Sequence, residues 1–266
     1  MINTTLFRKE LKSNWIMFLI FIGIIAMYSV MIVMMFEPEM SESLQTLADS
    51  MPEIFAAFGM SVVGTTLLEF ITGYLYGMIL VLLPAVFIML ICGRLVARYV
   101  SAGSMAYLLA APVKRKHIVT SQAVFLLVSL LAMAILVIGL IWAPAEIIFP
   151  GELELEGFFR INVGMVGVWI FIGGICFLVS CIFNDSKQVS ALNAGIIIYS
   201  YLMQMISQVG DKFEALKYAT PLTLFNAQGL AASENGAWIG TAVLYGVGIV
   251  FMIVGIRVFS KRNLPL

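Results

Sequence analysis

The sequence predicts an all-α integral membrane protein with six transmembrane helices. An amphipathic helix precedes the first, and a short cytoplasmic helix lies between the second and third. Three observations carry that expectation. Of 266 residues, 62% belong to the hydrophobic set and only 11% are charged, with a mean hydropathy of +1.04. A soluble domain averages about 25% charged residues, so this chain has too few polar side chains to clothe a globule. Next, six stretches without Asp, Glu, Lys or Arg reach 22 residues or more: 13–36, 70–93, 118–145, 161–184, 188–210 and 235–256. At the helical rise, 22 residues span about 33 Å, enough for a hydrocarbon core of about 30 Å.

The third observation is how the charges divide. With six spans the termini share a side, and twelve of the fifteen Lys and Arg fall there: Arg8, Lys9, Lys12, Arg94, Arg98, Lys114, Arg115, Lys116, Lys187, Arg257, Lys261 and Arg262. Only Arg160, Lys212 and Lys217 lie opposite. By the positive-inside rule both termini are cytoplasmic, in a multi-pass protein of the plasma membrane, read as bacterial. The acids fall the other way, with Glu10 and Asp185 inside and the remaining thirteen outside.

In chain order, 1–14 reads as an amphipathic lead-in helix. Leu6, Phe7 and Leu11 form its apolar stripe, and Arg8, Lys9 and Lys12 form the basic membrane-surface group that meets lipid phosphates. Trp15 follows at interface depth. Spans are expected at about 15–36, 71–93, 118–142, 161–183, 189–209 and 236–257, in one transmembrane domain covering 1–266. The apolar run of span 1 is too long for a cleaved signal, so it is expected to stay as an anchor. A helix interrupted by Pro52 is expected around 43–58, and Pro84 predicts a kink or a locally widened turn inside span 2. Glu152, Glu154 and Glu156 make an acidic tip between spans 3 and 4. Asn184-Asp185-Ser186-Lys187 makes a tight inner turn between spans 4 and 5. The charge-free runs 54–68, 99–113 and 218–233 are too short to cross and read as interfacial or re-entrant.

The chemistry motifs speak mostly by absence. His117 is the only histidine, so the usual His-rich metal site cannot be built from this chain. No span holds a carboxylate pair for acid–base work. H-E-x-x-H, G-x-S-x-G and G-x-x-x-x-G-K-[ST] patterns are all missing, so the chain itself is expected to be no enzyme and no ATPase. Cys92, Cys176 and Cys181 sit in apolar runs and read as small buried hydrophobes. The spans carry no ionisable residue, which secondary transporters and pumps usually require. Of the polar residues at depth, Gln122, Asn193 and Gln204, Asn193 is expected to make an interhelical hydrogen bond. Such a protein moves cargo only if an external motor supplies the energy.

The stretch 101–116 is where a motor would attach. Ser101 or Ser104 caps a short helix and Pro112 ends it. Met105, Leu108 and Leu109 share one face, flanked by basic residues, which suits insertion into a groove of a cytosolic protein. A helix lying on the inner leaflet explains the same pattern equally well.

Two segments carry a family likeness. Leu6-Phe7-Arg8-Lys9-Glu10-Leu11-Lys12-Ser13-Asn14-Trp15 resembles the amphipathic R-K-E-L helix ahead of span 1 in permease subunits of type-2 ABC exporters. Tyr107-Leu108-Leu109-Ala110-Ala111-Pro112-Val113-Lys114-Arg115-Lys116-His117-Ile118-Val119 resembles the LL-x-x-P-[VI]-x-R-x-x-[IV] stretch that includes their coupling helix. Layout agrees along the whole chain, including an outer insertion between spans 5 and 6. The resemblance implies two permease copies, identical or related, docked on two separate ABC ATPase subunits that bind ATP and Mg. It implies that Ser104, Met105, Tyr107, Leu108 and Leu109 contact the ATPase subunit, that none of them is catalytic, and that no cofactor sits on this chain.

Weaker signals bear on cargo. The lack of intramembrane charge favours a hydrophobic or amphipathic substrate such as a peptide, drug or lipid-like molecule. The seventeen methionines invite a copper site with Met31, Met34 and Met35 as its thioether cluster, but flexible packing is the preferred reading. Gly164, Gly167, Gly173 and Gly174 in span 4, with Gly236, Gly240, Gly246 and Gly248 in span 6, permit close helix approach, within the subunit or at a dimer seam. Tyr74, Tyr76, Tyr199 and Tyr201 line an exit path or mark interfaces. No nucleic-acid partner is expected. The competing class is a non-transport sensor or assembly protein that binds a cytosolic partner through 101–116.

Overall fold

Each long charge-free run forms a helix, because lipid offers no hydrogen bonds and the backbone must satisfy itself. The computed structural model describes residues 3–37, 50–51, 66–101, 115–209 and 211–262. Six helices are long and apolar enough to cross a membrane. They are α1 (Thr4–Met34), α2 (Leu67–Ser101), α3 (Arg115–Ile148), α4 (Leu155–Ile182), α5 (Ser186–Ser207) and α6 (Asn235–Lys261). There is no strand among the described residues. The fold is therefore the all-α, six-helix membrane architecture expected. The helix expected around 43–58 and the proposed 101–116 helix lie almost wholly outside the described residues.

The lead-in segment and span 1 are one continuous helix. Asn3 caps α1 by accepting from the Leu6 N–H at 3.1 Å, and no Gly or Pro interrupts the chain before Gly23. The apolar stripe divides in three. Leu6 is buried, Phe7 packs edge-on against Phe125 at 5.3 Å, and Leu11 is 56% exposed. The face that turns inward is Leu6, Glu10, Asn14 and Met17 instead, one residue per turn. At the far end of span 3, α3 continues through Pro144 to Ile148, beyond the expected end at 142. The ladder resumes past the proline, with Phe149 N–H donating to the Ala145 carbonyl at 2.9 Å.

α2 is wound loosely at both ends. Thr72–Ile79 and Gly93–Ala97 are π-helical and flank an α-helical middle that contains Pro84. Proline has no N–H, so the carbonyl four residues earlier, that of Leu80, loses its ladder donor. The Trp169 indole N–H replaces it from α4 at 2.8 Å. Trp169 is 1% exposed, so this bond is made away from water.

α4 forms the centre, walled by α2, α3, α5 and α6, and most of its residues are buried. α4 and α6 meet backbone to backbone. A Cβ on Gly248 would lie 2.6 Å from the Ile170 carbonyl oxygen, and one on Gly174 would strike the Gly248 carbonyl. Gly164, Gly167, Gly173 and Gly240 also face neighbours within the subunit, whereas Gly236 and Gly246 face open space. α5 is peripheral, burying only Val189, Asn193 and Ile197. The expected interhelical bond is there: Asn193 Nδ2 donates to the Cys176 carbonyl at 3.5 Å. All three cysteines are free and buried.

Between α5 and α6 the chain forms two 3-10 turns, Asp211–Ala219 and Pro221–Leu224, and the short helix Ala227–Ala231. This segment folds back onto the bundle. Leu230 is fully buried against Gly164 of α4, and the Leu224 carbonyl sits over Gly240 of α6.

Candidate functional site

The two ends of the bundle differ in charge, and each holds a cavity beside one π-helical stretch of α2. The acidic end carries Glu69, Glu152, Glu154, Glu156 and Glu234. Its cavity has a volume of about 460 Å³, within the range of small-molecule sites. The π turn supplies Thr72, Gly73, Tyr76 and Gly77 to one wall, α5 and the residue that caps it supply Gln204 and Gln208, and the folded-back segment supplies Phe225, Asn226 and Gln228. Widening the helix by one residue per ring displaces side chains from the usual helical face, which is why π turns recur at functional sites. Thr66 starts α2 with a reciprocal cap, its Oγ1 accepting from the Glu69 N–H and the Glu69 carboxylate accepting from its own N–H.

Tyr76 and Gln204 line this cavity from α2 and α5. Tyr76 is 1% exposed, and its hydroxyl lies beside Asn162 of α4. Gln204 Oε1 is buried without a hydrogen-bond partner among the described residues, which costs about 1–3 kcal/mol. Glu69 and Glu154 at the wall add negative charge, so the cavity suits a guest with donor or cationic groups on an apolar body. Of the four tyrosines picked out from the sequence, only Tyr76 lines it. Tyr74 packs on Phe70 at 4.6 Å, Tyr199 is exposed, and Tyr201 is half-buried lower on α5.

At the basic end, Glu10 is 2% exposed. Its Oε1 accepts from the Tyr99 hydroxyl at 2.7 Å and from Gln122 Nε2 at 3.2 Å, and its Oε2 accepts from Asn14 Nδ2 at 3.2 Å. These donors come from α2, α3 and α1, so one carboxylate ties three helices. Asn3 N–H adds a bond to Ser121 Oγ of α3 at 2.7 Å. At the same end Arg262 caps α6 and clamps the turn between α4 and α5. Its guanidinium donates to the Cys181 carbonyl at 2.8 Å and also to the Ile182 carbonyl and Asn184 Oδ1. Partial burial draws its pKa below the ordinary arginine value, yet arginine stays charged at any physiological pH.

The residues expected to meet a motor, Ser104, Met105, Tyr107, Leu108 and Leu109, lie outside the described residues. Arg8, Lys9 and Lys12 are exposed on the first turns of α1. Met31, Met34 and Met35 are about half exposed or more at the C-terminal end of α1. Sequence reasoning missed Glu10 as a junction and Tyr76 with Gln204 as a pair. The only signal for Glu10 was a carboxylate set at helical spacing between Leu6 and Asn14.

Comparison with known proteins agrees with this architecture. No curated protein matches the chain. The family model described as ABC-2 family transporter protein, however, matches residues 4–264. That range takes in every long helix, both cavities and the 101–116 stretch. Six apolar helices with no nucleotide-binding loop are what a membrane component driven from outside needs, and the chain belongs to the ABC-2 family of transporter proteins as a permease subunit of an ABC transporter.

Proposed function

We propose that this permease exports an amphipathic or hydrophobic cargo, the basic end facing the cytoplasm and the acidic-end cavity serving as its exit chamber. The observation that carries the proposal is that chamber: about 460 Å³, with Gln204, Glu69 and Glu154 on its wall beside Phe225 and Ala231. A cargo with donor or cationic groups on an apolar body meets the Glu154 carboxylate and fills the apolar wall of Phe225 and Ala231. Two separate ATPase subunits bind ATP and Mg, dock on 101–116 through Ser104, Met105, Tyr107, Leu108 and Leu109, and drive a pair of permeases, identical or related. Arg8 and Lys12 rest at the phosphate plane of the inner leaflet.

The test is co-purification with the ATPase followed by transport into inverted vesicles. Leu108→Glu with Leu109→Glu is expected to abolish ATPase docking and transport together. Glu154→Gln with Gln204→Leu is expected to leave docking and basal ATP hydrolysis intact while weakening cargo-stimulated hydrolysis about tenfold, as loss of one charge-assisted hydrogen bond implies. Transport that survives both pairs of changes sinks the proposal.

A further inference from the structure

The basic end holds a second cavity, of about 270 Å³, lined by Lys9, Glu10, Ser13, Asn14, Arg94, Arg98 and Tyr99. Three cations face one carboxylate, and that carboxylate is already engaged by Tyr99, Gln122 and Asn14. Among the described residues the one ion pair is Arg160 with Glu156, at the acidic end. The sequence offers no other neutraliser. Asp185 is the only further acid at this end of the bundle, it caps α5, and the stretch 102–114 contains no Asp or Glu. Lys9 is held in place, its Nζ 5.0 Å from the centre of the Tyr99 ring. Arg94 and Arg98 stand one turn apart at the second π stretch. The cavity is thus a preformed site with a surplus of positive charge.

We propose that this pocket binds the phosphate of an anionic phospholipid, with the acyl chains running along α1. The proposal rests on the reading that the basic end lies at the inner leaflet. What distinguishes a lipid from a soluble phosphate is the surface leading out of the pocket. Lys9, Ser13, Ile16 and Ile20 are all exposed and share one face of α1, with Ile16 57% and Ile20 56% exposed. Eleven residues of helix cover about 16 Å, so the apolar strip begins at the pocket and continues toward mid-membrane. Arg94 and Arg98 supply forked donors that match phosphate oxygens, and Lys9 supplies a point charge. Basic pockets between transmembrane helices are suited to acidic headgroups in this way.

The full-length chain is reconstituted in nanodiscs of phosphatidylcholine doped with phosphatidylglycerol, and retained lipid is counted by native mass spectrometry after detergent extraction. Wild-type protein is expected to keep phosphatidylglycerol selectively. Arg94→Gln with Arg98→Gln is expected to lower that retention roughly 30-fold, the effect of removing two basic residues at a membrane surface. Arg94→Lys with Arg98→Lys is expected to restore part of it, while Arg257→Gln, a basic residue outside the pocket, leaves it unchanged. Should the double Gln protein misfold, Lys9→Gln on the exposed turn of α1 makes the same test. Retention equal to wild type in the Gln variant overturns the proposal. Displacement of the lipid by millimolar inorganic phosphate also overturns it, by assigning the pocket to a soluble anion. The readout needs no ATPase partner, so failed docking of the 101–116 helix leaves it intact.

Discussion

Glu10 is a carboxylate enclosed by protein, and three donors from three helices keep it there. Truncation to Ala leaves Tyr99, Gln122 and Asn14 facing an empty space, and a network broken on one side costs more than the bonds it loses. Glu10→Ala is expected to destabilise the fold by about 3 kcal/mol, read as a lowered Tm in detergent, with Glu10→Gln milder because it keeps the shape and an acceptor. Trp169 acts on the same logic with the roles reversed. It donates to the Leu80 carbonyl orphaned by Pro84, so Trp169→Phe is expected to cost about 1–2 kcal/mol. Trp142→Phe, a change at a 44% exposed position, is expected to cost little. Pro84 was visible as a break in the sequence. Its rescuer was not, because nothing local links residues 84 and 169, and the same distance hid Tyr99 and Gln122 from Glu10.

Among the helices, the pairing of α4 with α6 is set by glycine. The sequence showed small residues in both spans but not which faces they occupied, since ten glycines on two helices of 3.6-residue period fit several pairings. The structure separates them. Gly174 and Gly248 touch the partner backbone, and Gly246 meets nothing. Gly174→Ala or Gly248→Ala is expected to force the helices apart at about 1–3 kcal/mol. Gly246→Ala is expected to be neutral or to gain about 0.5–1 kcal/mol from helix propensity. Thermal melts of the three variants side by side check this ordering. The continuity of α1 was legible in one respect, the lack of any breaker before Gly23. It was hidden in another, because the Leu6–Phe7–Leu11 stripe read as the apolar side of an amphipathic lead-in helix, whereas the face packed on the bundle carries Glu10 and Asn14 beside Leu6 and Met17. The bonds that Glu10 accepts are what permit a carboxylate there.

For the molecule as a whole, span number and fold class came directly from charge-free runs, a signal that survives without any knowledge of packing. The chambers did not, since they arise from π turns and from a folded-back 211–233 segment that composition does not encode. The end-to-end charge asymmetry makes a topological prediction. Glu154→Cys is expected to react with an impermeant maleimide on intact cells, and Lys187→Cys only after lysis. The native cysteines are all buried, so background labelling is expected to be low. Reaction of the Lys187→Cys thiol from outside would invert the topology argued above. One element joins both mouths of the bundle. α2 has slack wound into each end and a fixed pivot where Trp169 grips its waist. Drawing one residue out of a π turn swivels everything beyond it by about 100°. An axle built that way can gear the closing of one gate to the parting of the other while its middle stays put.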